Sequence, residues 1–162
     1  MVLVLLVAAA LPAPAADLAG RLEWVYDGDS IRVAHFGKVR LLGIDVPETE
    51  ASQRDDFLLR RGVAATTLRQ TATAARHYVQ LLRGQTVRLQ LPEVERDRYG
   101  RLLAYVYLPD GRLLNRSLIE EGLAVVYRRF DFTLKAEFIA AETLARQQQR
   151  GLWRLAVPLR KE

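Results

Sequence analysis

The sequence predicts a small closed β-barrel with helices packed on it, an α+β arrangement. Several short segments alternate apolar and polar residues, as Thr86–Leu91 does, which is the pattern of a half-buried strand. One amphipathic helix lies between the strands, and two helical segments come near the end. With 162 residues, 50% of them hydrophobic and 27% charged, the chain can form one domain with its own core.

The first three strands are predicted from short apolar runs separated by turns. Leu18 to Tyr26 and Ser30 to Phe36 are joined across the Asp-Gly-Asp turn at 27–29. Val39 to Ile44 follows the turn at Gly37-Lys38 and completes the set. Trp24, on the first strand, is predicted to lie in the core.

A loop and a helix are predicted next. The stretch between Glu48 and Arg61 is polar and has no clean period, which indicates a mobile loop. Gly62 to Arg83 is predicted to be an amphipathic helix that ends at Gly84, a common helix-ending residue. Its apolar stripe consists of Leu68, Ala72, Ala75, Val79 and Leu82.

The last elements are a hairpin and two helices. Arg101 to Leu108 reads as a strand that turns at Pro-Asp-Gly 109–111. Asn115 is a plausible N-cap for a helix ending at Gly122, since Asn is favoured there. Thr133 to Gln149 is the final helix, stopped by Gly151, after an extended segment at 123–127.

The amino-terminal residues are set apart from this domain. Val2 to Leu11 is an unbroken apolar run, too short to span a membrane, followed by small residues with a cleavage-like Ala13-x-Ala15. We therefore expect a signal peptide over 1–16, the folded domain over 17–162, and a secreted or periplasmic protein. The cationic segment that usually opens such a signal is missing, so the true start could lie upstream.

Charge and cysteine content limit the function. The chain has 24 Lys and Arg against 19 Asp and Glu, a net charge of +5 and a pI near 9.9, and nearly all its cations are Arg. Arg suits bidentate contact with phosphate, so a polyanionic partner is favoured. The absence of Cys excludes disulfides and thiolate metal sites.

Two acidic segments are candidates for metal chemistry. Asp27-Gly28-Asp29-Ser30 alone is most simply a turn, and an EF-hand is excluded because its sixth and twelfth positions would be Arg32 and Lys38. The second segment, 40–48, favours a metal. A strand ends at Asp45, and the chain continues through Val46 and Pro47 to Glu48. An extended backbone there would turn the Val46 carbonyl and the Glu48 carboxylate toward one cavity.

Glu48 and two arginines complete a set suited to phosphodiester hydrolysis. Glu48 is the candidate general base, although a surface Glu near a turn is ordinarily commoner. Arg40 begins the strand leading to Asp45, and Arg101 follows a Tyr-Gly turn that would point it inward. Two guanidinium groups can meet the negative charge that builds up on phosphoryl oxygens.

The order of these segments, with Asp97-Arg98-Tyr99-Gly100-Arg101 as the third, resembles the staphylococcal (micrococcal) nuclease family. The resemblance runs from about Leu18 to Trp153 and includes the Gly151-Leu152-Trp153 ending. It implies an OB-fold, a five-stranded Greek-key barrel with about three helices. It also implies calcium-dependent cleavage of DNA and RNA with little sequence specificity, giving 3′-phosphate ends.

The resemblance also implies a role for each matched residue. The expected Ca²⁺ ligands are Asp29, Asp45 and the Val46 carbonyl, with Asp27 acting on the metal through water. The expected catalytic residues are Glu48 as base and Arg40 and Arg101 at the transition state. The expected substrate contacts are Arg98, Tyr99 and, with a register shifted by about one residue, Tyr127.

Two other classes of protein compete with a nuclease. A non-catalytic OB-fold module that binds nucleic acid would have no need of Glu48 or of the two arginines, which are all present. An oligosaccharide-binding barrel would have surface aromatic residues but no Arg pair. We therefore expect DNA and RNA as partners, single-stranded or breathing duplex preferred, a monomer, and no stable membrane insertion.

Overall fold

The fold is a closed barrel of five strands, as the sequence predicts. The computed structural model describes residues 18–154, so the expected signal peptide lies outside the described residues. The strands are β1 (Leu18–Val25), β2 (Ser30–Val33), β3 (Gly37–Leu41), β4 (Ile44–Asp45), β5 (Thr86–Gln90), β6 (Leu102–Tyr107) and β7 (Val125–Val126). The α-helices are α1 (Asp56–Leu59), α2 (Ala65–Gln80), α3 (Leu114–Glu120) and α4 (Lys135–Gln147).

Five of the strands close the barrel in the order β1-β2-β3-β6-β5. Their pairings are antiparallel except that between β3 and β6, which is parallel and sets Arg40 opposite Leu103. The short strands β4 and β7 form a separate pair, with Asp45 opposite Val125. Strand β4 follows β3 directly in the chain, so it continues the site-bearing segment beyond the barrel, where β7 pairs with it.

Regular structure is present where the sequence predicts only a mobile loop. A 3₁₀ turn at Gln53–Asp55 leads directly into helix α1. The Ser52 hydroxyl caps the turn by accepting a hydrogen bond from the Arg54 backbone N–H at 3.2 Å. These elements are too short to show a period, and α1 raises the number of α-helices among residues 18–154 from about three to four.

Asn115 and Trp24 differ from their predicted roles. Helix α3 begins one residue before Asn115, which is fully buried inside it. Its amide accepts from Val106 N at 2.9 Å and donates to the carbonyls of Leu42 and Ala104 at 2.9 and 3.2 Å. It therefore ties α3 to the barrel by satisfying buried backbone groups. Trp24 is 47% exposed beneath the Arg83 guanidinium, because it faces outward from β1.

The core has two parts. The larger fills the barrel and extends into its contacts with α2, α3 and α4. The smaller lies beneath α1 and the start of α2 and consists of Leu58, Leu68, Val125 and Leu152. Across residues 18–154, no helix combines the length and the apolar character that a membrane crossing requires.

Candidate active site

The two acidic segments meet at the turn that joins β1 to β2. Gly28 lets this turn approach closely, since a Cβ there would lie 2.7 Å from both the Ala75 and Val46 side chains. Asp29 then reaches the second segment, where its Oδ2 accepts a hydrogen bond from Val46 N at 3.1 Å. Asp27 Oδ1 accepts from the Asp29 N–H at 3.0 Å and so steadies the turn.

The Arg40 guanidinium joins Asp29 and Asp45. Its Nη1 lies 2.5 Å from Asp29 Oδ1, and its Nη2 lies 2.7 Å from Asp45 Oδ1. Asp29 is only 2% exposed and Arg40 9%. The structure thus brings together Asp29, Arg40 and Asp45, which the sequence predicts to share one site. Both ends of the Arg40 guanidinium are bonded to carboxylates.

Charge is concentrated around this bridge. Burial raises the pKa of Asp29 to about 7; Arg40 opposes the rise, whereas the carboxylates of Asp27 and Asp45 add to it. Burial acts to lower the pKa of Arg40, but Asp29 and Asp45 outweigh it and the pKa is raised overall. Arg40 therefore stays charged, and any cation near Asp29 stabilises the ionised form of its carboxyl group.

The donor set fits a hard divalent cation. Asp29 and Asp45 lie within reach of one guanidinium, and their oxygen atoms are the ligands that Ca²⁺ prefers. No group of three or more His, Cys, Asp or Glu side chains arranged to hold a metal occurs among the residues that the structure describes. The expected set needs only two carboxylates and one carbonyl, which leaves positions for water and substrate.

Glu48 lies beside this bridge and is held by Arg54, a residue that belongs to none of the three sequence segments. The Arg54 guanidinium forms ion pairs with both Glu48 Oε1 and Asp45 Oδ1. Arg54 lies in the 3₁₀ turn, within the segment predicted as a loop. Its role follows from the folded path of that segment, and no local pattern signals it.

An open cleft of about 720 Å³ runs past the bridge. Six of the predicted site residues line it: Arg40, Asp45, Arg98, Tyr99, Arg101 and Tyr127. Asp27, Asp29, Val46 and Glu48 are not among its lining residues; Asp29 and Val46 are buried, and Glu48 is paired with Arg54, which does line the cleft. Six of the ten predicted residues therefore share the cleft, and the other four are linked to Arg40 or Asp45 through hydrogen bonds and ion pairs.

A tight turn holds Arg101 at the cleft. Asp97 accepts hydrogen bonds from Arg101 Nε at 2.7 Å and from Arg101 N at 3.0 Å. Burial acts to raise the pKa of Asp97, but the hydrogen bonds from Arg101 and Tyr99 outweigh it and hold the pKa below its usual value. Gly100, with φ +74°, allows the turn to reverse so sharply.

The predicted substrate contacts Tyr99 and Tyr127 are two of the four aromatic residues that line the cleft. Tyr99 is 68% exposed, and the Arg98 guanidinium lies 4.7 Å from its ring centre. Tyr127 is half-buried and packs against Phe130, with 5.1 Å between ring centres. An exposed ring beside a guanidinium can stack on a base while the cation meets a phosphate.

Arg128 also lines the cleft, although the sequence assigns it no role. Its Nη2 donates to Glu142 Oε2 at 2.9 Å, and the same oxygen accepts from Val126 N at 3.1 Å. Glu142 is 1% exposed on α4. The sequence gives no sign that Glu142, a carboxylate within a helix, is buried and holds Arg128, which lies 14 residues earlier in the chain and lines the cleft.

Comparisons with known proteins agree with this geometry. Residues 38–155 match the model of the staphylococcal nuclease homologue family. The chain is 35% identical over 151 residues to an uncharacterized endonuclease of Escherichia coli O157:H7, covering 91% of this chain and 85% of that protein. It is 32% identical to the micrococcal nuclease of Shigella flexneri, covering 85% and 75% of the two chains, and 32% identical to the thermonuclease of Staphylococcus hyicus, covering 80% and 72%. On this evidence the chain belongs to the staphylococcal nuclease family.

Proposed function

We propose that this protein is a calcium-dependent nuclease that hydrolyses phosphodiester bonds of DNA and RNA with little sequence specificity. The observation that carries the proposal is the Arg40 bridge between Asp29 and Asp45, at the edge of a cleft that Arg101 and Tyr99 also line. Relatives that are named as nucleases support the same reaction class.

In this proposal Ca²⁺ is held by Asp29, Asp45 and the Val46 carbonyl. When bound, the ion supplies positive charge that stabilises the phosphate as it becomes more anionic. Asp29 is suited to this task because it is buried beside two other carboxylates, where a cation lowers the cost of ionising it. Asp27 keeps the Asp29 backbone in place through its hydrogen bond.

Glu48 is proposed to act as the general base. Its carboxylate takes a proton from a water molecule, whose oxygen forms a bond to phosphorus as the bond to the 5′ oxygen breaks. The 5′ oxygen takes up a proton from solvent, and Glu48 later returns its own proton to solvent, so the products carry a 3′-phosphate and a 5′-hydroxyl. A positioned base of this kind contributes typically about 10²- to 10⁴-fold in rate.

Arg40 and Arg101 are proposed to bind the phosphoryl oxygens. Their guanidinium groups donate charge-assisted hydrogen bonds that strengthen as negative charge builds up during in-line attack. Arg101 is presented from a turn fixed by Asp97, so it loses little freedom when the phosphate binds.

Tyr99, Arg98 and Tyr127 are proposed to hold the substrate. Stacking on an exposed ring tolerates any base, which agrees with little sequence specificity. Bases must be unpaired to stack in this way, so single strands and breathing duplexes are favoured over stable duplexes.

The decisive experiment is cleavage of an end-labelled single-stranded DNA by the purified protein. The arms are calcium, chelator, and the Glu48→Gln variant with calcium. We expect products only in the first arm, with ends that polymerase extends only after phosphatase treatment. DNA binding without cleavage in all three arms would instead indicate a non-catalytic binding module.

Two further parts of the proposal concern the whole chain. We propose that residues 1–16 direct export to the periplasm or medium and that the protein acts as a monomer. Sequencing the amino terminus of protein recovered from outside the cytoplasm tests the first. Sedimentation at micromolar concentration tests the second.

A further inference from the structure

The main chain of Glu48 is held on both sides by one ion pair. Asp55, in the 3₁₀ turn, accepts a hydrogen bond from the Glu48 backbone N–H on its Oδ1 at 3.3 Å. Arg69, on α2, donates to the Glu48 carbonyl through Nη1 and to Asp55 Oδ2 through Nη2. Asp55 and Arg69 thus form a clamp around residue 48, here called the Asp55–Arg69 clamp.

The clamp is anchored in the core on the helix side. Arg69 follows Leu68, which is fully buried on α2, and it also donates to the Glu50 carbonyl. Asp55 is 2% exposed, so its charge is compensated chiefly by Arg69. A buried carboxylate with its partner in place is held firmly, because losing either member leaves an unpaired charge.

The same turn also reaches the Glu48 side chain. Arg54 lies next to Asp55 and pairs with the Glu48 carboxylate, while Asp55 holds its main chain. One short turn therefore contacts both the backbone and the carboxylate of a single residue. If this turn served only to satisfy its own backbone hydrogen bonds, it would not have to contact both the main chain and the carboxylate of Glu48.

We propose that Asp55 and Arg69 are positioning residues that fix Glu48 for its work as the base. The inference rests on the proposed function, and it assigns to the segment after Glu48 a role in the reaction. A base has to lie within hydrogen-bond reach of the water that it activates, and a displacement of about 1 Å can cost about 10²-fold in rate. Lys at position 69 could reach fewer of the three acceptors, because its ammonium is a single point charge and its donors do not form a planar fork.

The kinetic test uses Arg69→Met, Arg69→Lys and, as a matched control, Arg76→Met, which removes an exposed Arg from the same helix. We expect Arg69→Met to lower kcat at least tenfold with KM changed less than threefold, Arg69→Lys to recover part of the loss, and Arg76→Met to behave as the parent. Adding Arg69→Met to a Glu48→Gln protein should lower the residual rate less than threefold. An equal loss in both backgrounds, or no loss beyond that of Arg76→Met, would overturn the proposal.

A second measurement needs no activity. Backbone amide hydrogen exchange of the metal-free protein should show the segment around Glu48 protected in the parent and at least tenfold faster in Arg69→Met, with the barrel strands unchanged. Unchanged exchange at Glu48 would overturn the clamp. Should Arg69→Met fail to fold, Asp55→Asn provides both readouts, since it keeps the side-chain volume and removes the charge. If the parent cleaves nothing, the proposed function fails, and the exchange result still tests the clamp.

Discussion

Arg40 Nη1 lies 2.5 Å from Asp29 Oδ1, and both side chains are almost wholly removed from solvent. A pair of this kind is costly to break, since removing one member leaves a buried charge without compensation. The candidate site is therefore also part of what holds the barrel rim together, and substitutions there have effects on stability as well as on activity.

Arg40→Met should destabilise the metal-free protein by about 3–5 kcal/mol, because Asp29 would stay buried without its cation. Urea denaturation in chelator measures the change. The control is Arg32→Met, which breaks an exposed ion pair with Glu23 and should cost no more than about 1 kcal/mol. Similar losses in the two variants would contradict the view that the Arg40 pair is buried and structural.

Arg54→Ala should tighten calcium binding by about tenfold. The Arg54 guanidinium pairs with the carboxylates of Asp45 and Glu48. A unit positive charge about 4 Å from a divalent ion opposes its binding by about 2 kcal/mol at the dielectric of water, and salt screening reduces this somewhat. Calorimetric titration of the metal-free protein measures the change. Arg60→Ala removes the same charge from an exposed position nearby, and it should leave the affinity within about twofold. Weaker binding in Arg54→Ala would mean that Arg54 supports the calcium site.

Tyr99→Ala should weaken the binding of single-stranded DNA by about 5- to 150-fold, which corresponds to the loss of one stacked base at about 1–3 kcal/mol. The measurement is fluorescence anisotropy with a labelled oligonucleotide and the Glu48→Gln protein, so that the ligand is not cleaved. Trp24→Ala serves as the control, since Trp24 is also exposed but does not line the cleft. Equal losses in the two variants would argue against Tyr99 as a specific contact.

Asp97 should stabilise the protein in a pH-dependent way. Its pKa is lowered in the folded state from 3.8, so its contribution is fully present above pH 3.8 and is lost as the pH falls below that value. Asp97→Asn should therefore be less stable than the parent at pH 7, and the difference should shrink as the pH falls below 3.8. Urea denaturation across pH 2.5–7 tests this, and a difference that stays constant with pH would disprove it.

Gly122→Ala should be severely destabilising. With φ +66°, a Cβ at this position would lie 2.2 Å from the Arg150 carbonyl oxygen, where the backbone of the Gly151-Leu152-Trp153 ending packs. A Cβ at Gly111, which has φ +84°, would have no atom within 4 Å. Gly111→Ala therefore costs only the strain of a side chain in the left-handed backbone conformation. We expect Gly122→Ala to lose at least about 2 kcal/mol more than Gly111→Ala in thermal denaturation.

The barrel was predictable because its signals are local, whereas the site was predictable from the order of three short segments and the family resemblance that this order carries. Asp29, Arg40, Asp45 and Glu48 lie at strand ends and turns that the sequence marks with Gly, Pro and apolar alternation. The Asp55–Arg69 clamp was not predictable, since its members are 14 residues apart and meet only when α2 packs beside the 3₁₀ turn. Asn115 misled the prediction for a related reason: Asn favours helix starts, yet here it satisfies buried backbone groups of another element.

The parallel pairing of β3 with β6 has a consequence for folding. It sets Arg40 opposite Leu103, two residues from Arg101, although the two arginines are about 60 residues apart along the chain. Contacts between such distant parts of a chain form late, because the intervening loop must close first. A folding intermediate without this ladder would contain hairpins and helices, but Arg40 and Arg101 would not yet lie at the same cleft. The cleft is therefore complete only when the barrel closes.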